Sequence, residues 1–245
     1  SSVYKLASNE NALGLSPKAC AAIRRHIADV NRYPDGACYY LRQKLAGRLR
    51  LRPEQLVFGN GSDELIVLAT RAFVEPGDEV VIAQPTFLIY QIAATLAEAK
   101  IRFVPLKDFR YDLSAMRRAV TSRTKIVFIA NPDNPTGTYV TRVELEAFLA
   151  SMPSGTLVFL DEAYYEFAKG LRKYPDGRAI LGRYRNLFVA RTFSKIYGLS
   201  GLRLGYGMGA AGIVRALEKV REPFNVNLLA QVAVGQHLGD LGQDF

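Results

Sequence analysis

The chain has 245 residues, 49% of them hydrophobic, and a formal net charge of +9. That supplies a large core in one big domain or two small ones, and no apolar run is long enough to span a bilayer. The basic residues are scattered (Arg24-Arg25, Arg117-Arg118, Arg172-Lys173) without a single stripe or a nucleic-acid reader motif, so they read as solvated helix faces with a modest bias toward anionic ligands, not as a nucleic-acid surface.

Along the chain, Ser1-Ser2-Val3-Tyr4-Lys5 contains no apolar signal-peptide core. Ser16-Pro17 opens a helix through Ile27, a cap followed by proline at the first helical position. Cys20 and Cys38 fit neither a metal spacing nor a disulfide framework, and read as free thiols of a reducing compartment, the cytoplasm. Strands are expected over residues 56–58, 79–83, 101–104, 125–130, 156–160, 187–190 and 204–207. Most are unbroken hydrophobic runs, as in strands covered on both faces. Helical patterns lie at 63–73, 86–97, 113–120, 141–150 and 228–238. Alternation of this kind predicts a three-layer α/β/α fold around a mainly parallel mixed sheet. Ligands of such sheets lie in the loops beyond the carboxyl ends of the strands.

Four motifs fall at those loops. Gly59-Asn60-Gly61-Ser62-Asp63-Glu64 opens a helix whose bare N–H groups suit an anion, although taken alone the motif reads first as a helix cap by Ser62 or Asp63. Asn131-Pro132-Asp133-Asn134-Pro135-Thr136-Gly137 contains two Asn-Pro pairs and predicts a rigid turn that could present the Asn134 amide, although a purely structural turn would look the same. Asp161 follows a strand of apolar residues, so it should be partly buried and should need a partner. Thr192-Phe193-Ser194-Lys195 is followed by a glycine-rich turn to Arg203. Desolvation and a neighbouring cation make an amine a carbonyl nucleophile. The hydroxyls of Thr192 and Ser194, with Arg203, suit a phosphate beside it. On this stretch alone a surface lysine before a glycine-rich turn would read the same way; with the upstream motifs the groups suit a phosphorylated aldehyde cofactor, pyridoxal phosphate.

In this order the motifs resemble those of the fold-type I pyridoxal-phosphate-dependent aminotransferases, class I/II, in the histidinol-phosphate aminotransferase branch. The resemblance begins at Leu6-Ala7-Ser8-Asn9-Glu10-Asn11, includes Arg32-Tyr33-Pro34-Asp35 and Gln84-Pro85-Thr86-Phe87, and runs to Tyr206. It implies that Lys195 bonds covalently to the cofactor and later carries the proton. It also implies that Asp161 pairs with the pyridine nitrogen, and that Asn134 and Tyr164 donate to the ring's phenolic oxygen. Gly61, Ser62, Asp63, Ser194 and Arg203, with Thr192 less clearly, form the phosphate cradle, and Phe87 stacks on the ring. Tyr33 corresponds to a tyrosine reaching the phosphate in a neighbouring subunit, which implies a homodimer with shared sites. The implied substrates are a small amino donor and a keto acid, histidinol phosphate with 2-oxoglutarate, in histidine biosynthesis. The same scaffold also carries threonine-phosphate decarboxylases, aromatic aminotransferases and binding modules without turnover.

Two departures stand out. Ala12 follows Asn11 where the family usually has proline. The family's small C-terminal domain, which supplies the arginine for the substrate carboxylate, is expected to be absent after Phe245. Residues 1–30 then form an N-terminal arm and helix, and residues 31–245 the cofactor-binding large domain.

Overall fold

The structure is a computed structural model that describes residues 7–240. Residues Ser1 to Leu6, where the resemblance begins, and the chain end at Phe245 lie outside the described residues. In chain order the elements are α1 (Pro17–His26), α2 (Tyr39–Leu49), β1 (Leu56–Gly59), α3 (Ser62–Phe73), β2 (Glu79–Gln84), α4 (Ile89–Leu96) and β3 (Lys100–Pro105). There follow α5 (Leu113–Ala119), β4 (Thr124–Ala130), α6 (Arg142–Ser151), β5 (Leu157–Asp161), α7 (Tyr165–Ala168) and α8 (Gly177–Ile180). The last are β6 (Leu187–Thr192), β7 (Gly205–Gly209), α9 (Ala211–Val220) and α10 (Leu228–Asp240).

Several helices start where local chemistry dictates. Ser16 Oγ accepts from the Ala19 amide ahead of Pro17 in α1, which satisfies one orphan donor of the first turn. Thr141 and Glu144 form a reciprocal capping box on α6, and Asn227 Oδ1 accepts from the Ala230 amide at the start of α10. One expectation changes here. Neither Ser62 nor Asp63 caps α3; Gly61 holds that position with φ +80°, and among the described residues no side chain caps the amides of the first turn. The amides of that turn are therefore left for a ligand. A second change concerns α4, which begins at Ile89 and leaves Thr86 and Phe87 in the preceding loop, where Thr86 Oγ1 donates to Asp133.

All seven expected strands form one sheet in the order β1-β7-β6-β5-β4-β2-β3. The pairings β2·β3, β2·β4, β4·β5 and β5·β6 are parallel, and β7 runs antiparallel to both β1 and β6. Every residue of β5, β6 and β7 is buried, so helices cover both faces, as continuous hydrophobic strands require. Phe128, Phe159 and Phe188 form a row of rings across β4, β5 and β6, with centroids 5.3 and 5.2 Å apart.

The reversed strand matters for function. Because β7 is antiparallel, its beginning rather than its end lies at the carboxyl edge of the sheet. Gly205 pairs with Gly59 on one side and with Thr192 on the other. That register brings the loop after β1, the loop after β6 and the Arg203 that precedes β7 to one place. A side chain at Gly205 would overlap the Ser62 backbone, so only glycine permits this approach.

Candidate active site

The cavity at this edge is lined by Ser62, Asp63, Phe87, Asn134, Asp161, Tyr164, Thr192, Ser194, Lys195 and Arg203, together with Tyr90 and Ala163. Of the residues singled out in the sequence, only Gly61 and Tyr33 are not in its wall. Gly61 packs directly against the Arg203 guanidinium. Tyr33 lies outside the cavity of its own chain, 82% exposed, with its ring stacked 4.7 Å from Phe224.

Asp161 ends β5 and is 4% exposed. Tyr90 Oη donates to its Oδ2 at 2.8 Å and the Ala163 amide donates to its Oδ1 at 3.0 Å. Among the described residues it has no salt bridge. Burial pushes its carboxyl up to about 6, against the partial relief of those two donors. A buried carboxylate held by neutral donors alone is a site that a cation would complete.

Lys195 sits just beyond β6, half-buried, with Nζ 3.3 Å from the Ser8 carbonyl and 5.4 Å from the Tyr164 ring centroid. Tyr164 Oη in turn accepts from Asn9 Nδ2 at 2.9 Å. Asn11 Nδ2 donates to the Ile196 carbonyl at 2.6 Å. Residues 8–11 are thus tied to the Lys195 and Tyr164 side of the cavity. Asn134, in the loop after β4, makes no hydrogen bond among the described residues, so its amide is open to a ligand.

On the other side, Arg203 Nη1 donates to Ser194 Oγ at 3.2 Å and Nη2 lies 3.3 Å from Asp63 Oδ2. This guanidinium, the buried Ser194 hydroxyl and the first amides of the 12-residue α3 converge into a cradle for a tetrahedral anion. Thr192 is less suited. Its hydroxyl accepts from the Ser194 amide and donates to the Leu204 carbonyl, so it shapes the turn. Among the described residues no group of three or more His, Cys, Asp or Glu side chains could hold a metal ion.

Sequence reasoning missed Tyr90, which is fully buried, stacked 4.8 Å from Phe128 and edge-on to Phe87 at 5.8 Å. The available signal was a tyrosine inside an apolar helix, since a buried hydroxyl needs a partner. It also missed the ion cluster next to the site. There Arg191 Nη2 lies 2.7 Å from Glu162 Oε2 and 2.8 Å from Asp176 Oδ1, with its guanidinium 3.3 Å from the Tyr165 ring centroid.

The family profile "Aminotransferase class I and II" matches residues 1–244. The chain belongs to that family. A histidinol-phosphate aminotransferase of Anaeromyxobacter sp. is 51% identical over 246 residues, covering 98% of this chain and 66% of the relative. Another, histidinol-phosphate aminotransferase 2 of Carboxydothermus hydrogenoformans, is 46% identical, covering 97% of this chain and 66% of the relative. This class I and II chain therefore spans about two thirds of the length of the curated relatives it matches. Among solved structures, the histidinol-phosphate aminotransferase of Sinorhizobium meliloti in complex with pyridoxal-5'-phosphate is similar, with TM-score 0.89 and 33% identity over 95% of this chain and 63% of that one. The L-threonine-O-3-phosphate decarboxylase of Porphyromonas gingivalis is similar at TM-score 0.81 and 25% identity, over 94% of this chain and 70% of that one.

Proposed function

We propose that this cavity binds pyridoxal phosphate and that the protein is a histidinol-phosphate:2-oxoglutarate aminotransferase of histidine biosynthesis. The observation that carries the reading is the buried Asp161, held among the described residues by Tyr90 and an amide, in one cavity with Lys195 and the Arg203–Ser194 cradle. A cationic heterocycle bearing a phosphate fits all three at once. Pyridoxal phosphate, when bound, supplies an aldehyde that bonds amines and a ring that accepts the electron pair released at the substrate's Cα.

The chain's own groups then divide the work. Asp161, whose carboxyl burial pushes up to about 6 in the cofactor-free chain, would ionise against the ring nitrogen and hold the proton there. Arg203, Ser194 and the amides of Gly61, Ser62 and Asp63 bind the phosphate. Phe87 packs on the ring face, and Asn134 and Tyr164 donate to the phenolic oxygen. Lys195 Nζ would hold the aldehyde and, as a free amine, would take up and return the proton at the substrate's Cα. Residues 31–245 make up the large cofactor-binding domain behind an arm and helix at 1–30. Tyr33, exposed and outside its own cavity, reaches the site of a second copy, so the working unit is a homodimer. Two free cysteines, Cys20 and Cys38, fit a cytoplasmic setting.

The substrate assignment is supported by the relatives, which share 46% to 51% identity against 25% for the decarboxylase. Its test is glutamate formation from 2-oxoglutarate by the cofactor-loaded protein with histidinol phosphate as donor. Glutamate formation dependent on histidinol phosphate is expected. Carbon dioxide release from O-phosphothreonine with no glutamate formed would favour the decarboxylase reading.

A further inference from the structure

We propose that the Thr86–Asp133 hydrogen bond is a positioning element, one that fixes the Phe87 ring and the Asn134 amide relative to each other across the cavity. The inference rests on the pyridoxal phosphate reading of that cavity. Thr86 and Asp133 do not line it, but each immediately precedes a residue that does.

Asp133 lies in the loop after β4 and is 3% exposed. Among the described residues it has no salt bridge, so donors must satisfy its carboxylate. Thr86 Oγ1 donates to Oδ1 at 2.9 Å, and Thr136 donates to Oδ2 through its hydroxyl at 2.9 Å and its amide at 3.4 Å. The backbone of Asp133 is tied as well: its amide donates to the Thr138 carbonyl and its own carbonyl accepts from Gly137.

The Thr86 hydroxyl has one hydrogen, and it goes to Asp133. The Tyr111 hydroxyl, 2.6 Å from Thr86 Oγ1, must therefore be the donor in that contact. This agrees with Tyr111 Oη accepting from the Ala130 amide at 3.3 Å. The chain from Ala130 through Tyr111 and Thr86 to Asp133 has a single self-consistent direction. It joins the loop after β2, the end of β4 and the loop after β4. Thr136 holds only one oxygen of Asp133, within the same loop, while Thr86 is its link to the loop that carries Phe87. Without the Thr86 hydroxyl, Oδ1 loses its described donor, and nothing else described between Asp133 and Thr86 sets the spacing of the ring and the amide.

The test uses Thr86→Val, which keeps the shape and removes the hydroxyl, beside Thr86→Ser, which restores it, and Tyr111→Phe. The readouts are the dissociation constant for pyridoxal phosphate, the visible circular dichroism per bound cofactor, and the melting midpoint of the cofactor-free protein. Loss of one buried hydrogen bond to a carboxylate should raise the Kd about tenfold in Thr86→Val and reduce the dichroism, with Thr86→Ser within about twofold of wild type. Tyr111→Phe should change both readouts in the same direction. Wild-type Kd and dichroism in Thr86→Val overturn the inference, and so does a Thr86→Ser as impaired as Thr86→Val. If the midpoint shows that Thr86→Val does not fold, Tyr111→Phe decides: unchanged Kd and dichroism overturn the proposal. Failure of the wild-type protein to bind pyridoxal phosphate is a different result, which sinks the cofactor reading and this inference with it.

Discussion

Tyr90 Oη donates to Asp161 Oδ2 across 2.8 Å in a fully buried contact that links α4 to the end of β5. The pair explains why a tyrosine lies in the apolar face of α4. Its ring stacks on Phe128 while its hydroxyl supports the carboxylate.

Tyr90→Phe should keep the stack and remove the donor. A buried hydrogen bond to a charged group contributes about 1.5–3 kcal/mol to stability, so the melting midpoint should fall by several degrees, and the rate should fall about tenfold where the transition state loses the same support. Since the Tyr90 hydroxyl lowers the Asp161 carboxyl, the acid limb of the rate profile should move to higher pH. An unchanged rate and profile would remove Tyr90 from the support of Asp161.

The cofactor-free protein should carry a stability signature of Asp161. Its carboxyl rises from 3.8 to about 6 on folding, so the folded chain binds that proton more tightly than the unfolded chain. The associated stability is present below about pH 4 and is lost as pH rises through about 6, amounting to on the order of 3 kcal/mol. Asp161→Asn lacks this group. The cofactor-free variant should therefore become more stable than wild type, by a margin that grows between pH 4 and 7. Parallel melting midpoints across that range would contradict the shift.

Gly61→Ala should strike the phosphate cradle. Gly61 has φ +80°, and a Cβ there would collide with the Arg203 guanidinium. Displacing Arg203 should weaken pyridoxal phosphate binding about ten- to a hundredfold. Pyridoxal, which lacks the phosphate, should bind as it does to wild type. Equal losses for both ligands would mean the glycine serves the fold rather than the anion.

Arg191→Ala tests the cluster beside the site. Removing this cation leaves Glu162 and Asp176 without their shared partner and should destabilise the fold by about 3–5 kcal/mol. Urea unfolding measures it; a loss under about 1 kcal/mol would assign the pair a minor role.

Much of this architecture is legible in the chain because it rests on local patterns. Most of the strands are apolar runs, and the site motifs sit in the loops that follow them. What was not legible depends on distance. Tyr90 and Asp161 are 71 positions apart and Thr86 and Asp133 are 47 apart, with nothing local to pair them. The reversal of β7 is equally invisible in Gly205–Gly209, yet it is what carries Arg203 to the cradle. Helices α2 and α9 were not anticipated. In α2 the apolar spacing is diluted by Arg42, Gln43 and Lys44, and Cys38 at its cap has left-handed φ with no capping side chain. In α9 the buried set is Ile213, Val214 and Leu217, and no side chain caps its start.

The most direct measurement is borohydride reduction of the protein loaded with pyridoxal phosphate, followed by mass mapping of its peptides. The account predicts one reduced cofactor adduct, on Lys195, absent from Lys195→Ala. An adduct spread over other lysines, or one that persists in Lys195→Ala at the wild-type level, would contradict the assignment of this cavity.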